Sequence, residues 1–122
     1  MEPDKAKSIV REYFHRLLND RDISVCDEML ASDYTDNDAP QGTPPGPDST
    51  KQYMVGFLRD YPDMEVRVED IIAEGNKVAA RNVWYGTHRE SGEKFHRMGI
   101  IILRLNDTGQ LVERWSAYEP IE

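Results

Sequence analysis

Apolar residues recur at three- and four-residue steps from the start of the chain: Ala6, Ile9, Val10, Tyr13, Phe14, Leu17 and Leu18. That spacing predicts an amphipathic helix, and Pro3 suits its first turn, where a missing N–H breaks no intrahelical bond. A shorter stripe of Val25, Cys26, Met29 and Leu30 follows Ser24, an N-capping residue type, so a second helix is expected to end near Ala31. Tyr53, Met54, Phe57 and Leu58 define a third helix, begun by Asp48 or Ser49 and stopped at Tyr61-Pro62. Between the second and third helices, Asp33 to Pro47 carries four prolines and two glycines. This composition predicts a loop crossing the mouth of the fold.

From Met64 onward the period changes from 3.6 to 2. Met64–Glu74, Lys77–His88, Phe95–Leu105 and Gln110–Glu119 read as four strands. The connections Gly75-Asn76, Glu90-Ser91-Gly92-Glu93 and Asn106-Asp107-Thr108-Gly109 are short and rich in turn formers, so neighbouring strands are expected to pair antiparallel as a meander. The plan is α+β: three N-terminal helices packed on one face of a curved antiparallel sheet of four main strands, with a hollow between the layers.

The length of 122 residues fits a single domain over 1–122. Lys and Arg total 15 against 23 for Asp and Glu, a formal charge of -8, which disfavours nucleic acid as a partner. No stretch approaches the ~20 apolar residues of a membrane span. Met1-Glu2-Pro3-Asp4 lacks the basic and apolar regions of a signal peptide, so a soluble, cytoplasmic protein is expected. Cys26 is a single cysteine on a helical stripe and reads as a buried structural thiol. The three histidines, His15, His88 and His96, show no ligand spacing, so no metal is expected.

Alternation along the second strand sets Asn82, Trp84 and His88 on a single face. An amide, an indole and an imidazole fill a dry core poorly, yet they suit the gripping and protonation of a small organic molecule. The last strand divides into Glu113, Trp115, Ala117 and Glu119 on one face and Val112, Arg114, Ser116 and Tyr118 on the other, and apolar count does not decide which is inward.

Four segments, taken in order, resemble the SnoaL-like polyketide cyclase family of the nuclear-transport-factor-2-like superfamily: Ile9-Val10-Arg11-Glu12-Tyr13-Phe14, Tyr34-Thr35-Asp36-Asn37-Asp38-Ala39-Pro40, Trp84-Tyr85-Gly86-Thr87-His88, and Gly109 through Glu119. The resemblance implies a cone-shaped fold enclosing a pocket, a homodimer formed through the open sheet face, and side-chain chemistry without cofactors. It also favours the Trp115 face as the inward one, carrying Glu119 toward the cavity. Two departures stand out. Asn37 occupies a place where the family often has histidine, so a proton-transfer role there passes to Asp36 or Asp38 or is absent. Glu119 replaces a catalytic aspartate, adding a methylene to the arm.

Enolate-type chemistry needs a base for a proton alpha to a carbonyl and a donor for the developing oxyanion. The catalytic candidates are therefore His88, Asp36 and Glu119, and the pocket candidates are Phe14, Asn37, Met54, Phe57, Asn82, Trp84 and Trp115. The expected ligand is a small apolar or polyketide-like molecule, with a cyclase, isomerase or hydrolase type of acid–base reaction. The alternative is a ligand-binding or dimerisation module that keeps the cone without the chemistry.

Overall fold

The computed structural model describes residues 1–119. Helix α1 (Pro3–Phe14) runs into a π-helical turn (His15–Asn19), and α2 (Val25–Met29), β1 (Leu30–Asp36) and α3 (Asp48–Asp60) follow. The chain then forms β2 (Glu65–Glu74), β3 (Lys77–Thr87), β4 (Lys94–Leu105) and β5 (Leu111–Tyr118). The sheet order is β1-β5-β4-β3-β2. Strands β2 to β5 pair antiparallel as the expected meander, while β1 pairs parallel to β5.

Strand β1 stands where the sequence pattern predicts a helix ending near Ala31 and a loop from Asp33. Its burial runs buried, buried, exposed, exposed, buried over Leu30 to Tyr34, a pattern with neither helical nor strand period. Its hydrogen-bond partners lie at the other end of the chain, where Leu30 stands opposite Leu111 and Asp36 opposite Arg114. Ser24 does not cap α2: its hydroxyl donates to Asp22, whose Oδ1 also accepts the Ser24 N–H at 3.2 Å. Helix α3 begins at Asp48 with neither Asp48 nor Ser49 capping it, and Tyr53 is 67% exposed rather than buried with Met54.

The core lies between the helices and one face of the sheet. Ala6, Val10, Tyr13 and Phe14 of α1 and Leu17 and Leu18 of the π turn pack against Val66, Val78, Ala80, Trp84, Ile101, Leu103 and Leu111. Burying each large apolar side chain of this set contributes about 1.5–3 kcal/mol. The π turn widens the helix end, with the Asp20 N–H donating to the His15 carbonyl at 3.0 Å. It also aims Asn19 at β2, where Oδ1 accepts the Val66 N–H at 2.8 Å and Nδ2 donates to the Val66 carbonyl at 3.1 Å. Asn19 thus acts as a local strand partner for β2. None of the described helices is long and apolar enough to cross a membrane.

The opposite sheet face is open. Ile72, Ile100 and Ile102 are exposed there, and Ile102 stands opposite Trp115 in the ladder.

Candidate functional site

Because side chains alternate along each strand, the register decides what faces the helices. Asn82 lies opposite Gly99, and Gly99 opposite Tyr118; Trp84 lies opposite Arg97. Ile101 and Leu103, both in the core, stand opposite Ser116 and Arg114. The inward face of β5 is therefore Arg114, Ser116 and Tyr118. This corrects the expectation for Trp115: it sits on the outer face, with the Lys77 ammonium 5.3 Å from its ring centroid. The choice follows from the β4 pairing, because the strand must put its partners to Ile101 and Leu103 on the core side.

Tyr118 crosses the inner wall. Its ring is 5.3 Å from that of Trp84, the Arg97 guanidinium lies 4.8 Å from its centroid, and its hydroxyl accepts a hydrogen bond from Arg114 Nη2. Gly99 makes this possible, since a Cβ there would overlap the Tyr118 ring. From β1, Tyr34 is buried and Asp36 half-buried beside Arg114; from α1, Tyr13 reaches the same interior.

Among the described residues, the buried side-chain atoms lacking any hydrogen-bond partner are Tyr13 Oη, Asn82 Oδ1 and Nδ2, and Arg114 Nε. Each such group costs about 1–3 kcal/mol in lost solvation. Asn82 is 0% exposed. No carboxylate of the described residues lies within ion-pair distance of Arg114. Burial works against the Arg114 charge, but the oxygens of Tyr118, Tyr34, Tyr13 and Asp36 outweigh it and raise its pKa. Burial, with Tyr34 next, holds the Tyr13 phenol well above its ordinary 10.0, and burial likewise raises Tyr34. Both phenols are therefore neutral donors at physiological pH.

The other candidates divide by position. Phe14, Met54, Phe57 and Trp84 all belong to the interior: Phe14, Met54 and Trp84 are buried, and Phe57 packs against them. Phe57 also begins an aromatic rim, with ring centroids 5.3 Å from Tyr61 and 5.9 Å from Phe95. His88 joins that rim with its ring 5.3 Å from Tyr61, but it lies just past the end of β3. Its Nδ1 accepts the backbone N–H groups of Glu90 at 3.3 Å and Ser91 at 3.2 Å, so this imidazole closes the β3–β4 turn and leaves Nε2 as its other group.

Asn37 and Glu119 fall outside the interior. Asn37 is exposed and grips β5, its Nδ2 donating to the Arg114 carbonyl at 3.0 Å and to Glu113 Oε2 at 3.1 Å. Asp38 continues the grip by accepting the Ser116 hydroxyl at 2.8 Å. Glu119, expected to point into the cavity, is exposed, and its Oε1 accepts the Met98 N–H at 2.8 Å. It shares the outward parity of Trp115, which is the physical reason for its displacement. Arg104 and Arg81 pair within the chain, with Glu113 at 3.1 Å and Asp70 at 2.6 Å, rather than standing free on the open face.

Sequence reasoning missed Arg114, Tyr118, Tyr34 and Tyr13 as a polar group. Alternation alone puts Arg114 and Tyr118 on one face; the signal that marks this face as inward is the run of Leu105, Leu103 and Ile101 on the neighbouring strand. Cys26 is buried, and burial pushes its thiol up to about 11, in keeping with a structural role. Two open grooves, about 430 Å³ between α1 and β2 and about 570 Å³ beside Tyr85 and Lys94, contain none of the candidate residues. Among the described residues, no cluster of His, Cys, Asp or Glu is arranged to hold a metal ion.

Helices laid over a mostly antiparallel five-stranded sheet, with polar groups enclosed between the layers, define the class of cone-shaped α+β proteins. Residues 8–122 match the family model described as SnoaL-like polyketide cyclase, and the chain belongs to that family. Solved structures share the fold. TsrD from Streptomyces laurentii is 19% identical with a TM-score of 0.86, covering 98% of this chain and 91% of its own. IdmH from Streptomyces antibioticus is 26% identical with a TM-score of 0.80, covering 93% and 91%. A SnoaL-like polyketide cyclase from Agrobacterium tumefaciens is 16% identical with a TM-score of 0.79, covering 98% and 93%. No curated protein matches the chain.

Proposed function

We propose that this protein binds a small, ring-bearing, polyketide-like molecule between its sheet and helices and catalyses a cofactor-free proton-transfer reaction on it. The observation that carries the reading is the set of unpartnered Asn82, Tyr13 and Arg114 atoms, which leaves a ligand's oxygens the partners the fold does not supply. Asp36, half-buried at the end of β1 and opposite Arg114 in the ladder, serves as the base through Oδ2, its Oδ1 accepting the Asp38 N–H at 2.9 Å. The neutral phenols of Tyr13 and Tyr34 are the donors for a developing oxyanion. His88 stands at the aromatic rim with Nε2 available, and it exchanges protons there.

The test is a panel of aromatic polyketide-like ketones, followed by mass spectrometry for products. Asp36→Asn is expected to lower turnover by about 10²–10⁴-fold, the usual contribution of a general base. Unchanged turnover in Asp36→Asn sinks the assignment. A second reading, a binding module without chemistry, has its own support: His88 Nδ1 and the Glu119 carboxylate are already engaged by backbone N–H groups. Binding without turnover across the panel selects it.

The exposed Ile72, Ile100 and Ile102 on the open sheet face support a homodimer formed through that face.

A further inference from the structure

Resting on the small-molecule reading above, we propose that the interior takes an organic acid, a ring-bearing ligand whose anionic oxygen seats against the Nε edge of Arg114. Guanidinium does not shed its proton in proteins, so Arg114 brings a permanent positive charge to the inner wall. Natural structures seldom leave a buried charge unpaired, because the lost hydration must be offset by a counter-charge and hydrogen bonds. Here Tyr118 occupies Nη2, while Nε is sealed from solvent with no partner. Nε and Nη2 share one edge of the guanidinium, and with Nη2 on Tyr118 the Nε–H is the donor left for a charge-assisted hydrogen bond to a carboxylate or related oxyanion.

A second arginine points the same way. Arg97 lies on the inward face opposite Trp84, stacked on the Tyr118 ring, with Nε donating to the Glu119 carbonyl rather than to a carboxylate. A chain of formal charge -8 thus keeps two inward arginines without a carboxylate in ion-pair contact, among the described residues, while its outward Arg81 and Arg104 are both paired. Positive groups set in an acidic surface focus the field and draw an anion to that place. Asn82, with both side-chain atoms free, orients the remaining oxygen functions of the same ligand.

Three probes sharing one ring system test this by calorimetry on the intact protein: 2-naphthoate, 2,4-dinitro-1-naphtholate and the neutral ester methyl 2-naphthoate. At least one anion is expected to bind tenfold or more tightly than the ester. The carboxylate and naphtholate arms identify which kind of oxygen is preferred. Arg114→Gln is expected to weaken anion binding tenfold or more and so remove the preference, with a smaller loss for the ester, which brings no charge for Arg114 to meet. Should that variant not fold, the Arg114 Nε–Hε resonance of the unmodified protein gives the same information, moving with the anion and not with the ester. Equal binding of ester and anions, or a preference that survives Arg114→Gln, overturns the anionic subsite while leaving the small-molecule reading intact. Failure of all three probes to bind overturns both.

Discussion

The enclosed amide of Asn82 weakens the fold by about 1–3 kcal/mol relative to an apolar side chain of similar size, because neither polar atom has a partner. Asn82→Leu is therefore expected to raise the Tm of the ligand-free protein by several degrees and to weaken ligand binding, both readable by calorimetry. A fall in Tm would show that the amide is satisfied in solution. Gly99 makes the opposite demand. Its missing Cβ is the space the Tyr118 ring fills, so Gly99→Val is expected to cost about 1–3 kcal/mol and to displace the ring from Trp84. Chemical denaturation gives the first quantity, and the change in Trp fluorescence reports the second. At this scale the sequence marked Asn82 and Trp84 correctly as a shared face, since alternation is local. It could not mark Gly99, whose reason for being glycine lies on another strand.

At the scale of elements, Arg16 of the π turn links Glu12 of α1 to Asp22 and to Glu28 of α2. Its guanidinium meets Asp22 at 2.7 Å, Glu28 at 2.6 Å and Glu12 at 3.3 Å. The Ser24 hydroxyl and then Arg16 hold Asp22 below its ordinary 3.8, and Arg16 holds Glu28 below its ordinary 4.5. A carboxylate lowered in the folded state binds more protons when unfolded. Its contribution is therefore present above the ordinary carboxylate range and is lost as pH falls through the lowered folded values. Arg16→Met is expected to flatten that acid limb of a Tm-against-pH curve, and an unchanged limb would count against the latch. The meander strands were legible because period-2 runs and short turn-forming connections are local signals. The π turn and β1 were not. The first depends on the bonding of Asn19 to β2, and the second on a parallel partner brought in from the far end of the chain.

For the whole molecule, the open sheet face and the closed inner face divide the work. If the open face joins two copies, Ile100→Glu with Ile102→Glu is expected to give a monomer in sedimentation while leaving ligand binding unchanged, since both residues face away from Asn82. A species of unchanged mass would place any dimer contact elsewhere. The chain by itself determined the helices, the four-strand meander, the acidic surface and the family, because periodicity, turn chemistry, charge and motif order are written along the backbone. Only the tertiary structure decided which face of β5 is inward. That choice is one residue of register, and it moves Trp115 and Glu119 out of the interior and brings Arg114 and Tyr118 in. A strand's two faces are equivalent until a neighbour buries one of them, so the residues that meet in the site were settled by pairing and not by sequence.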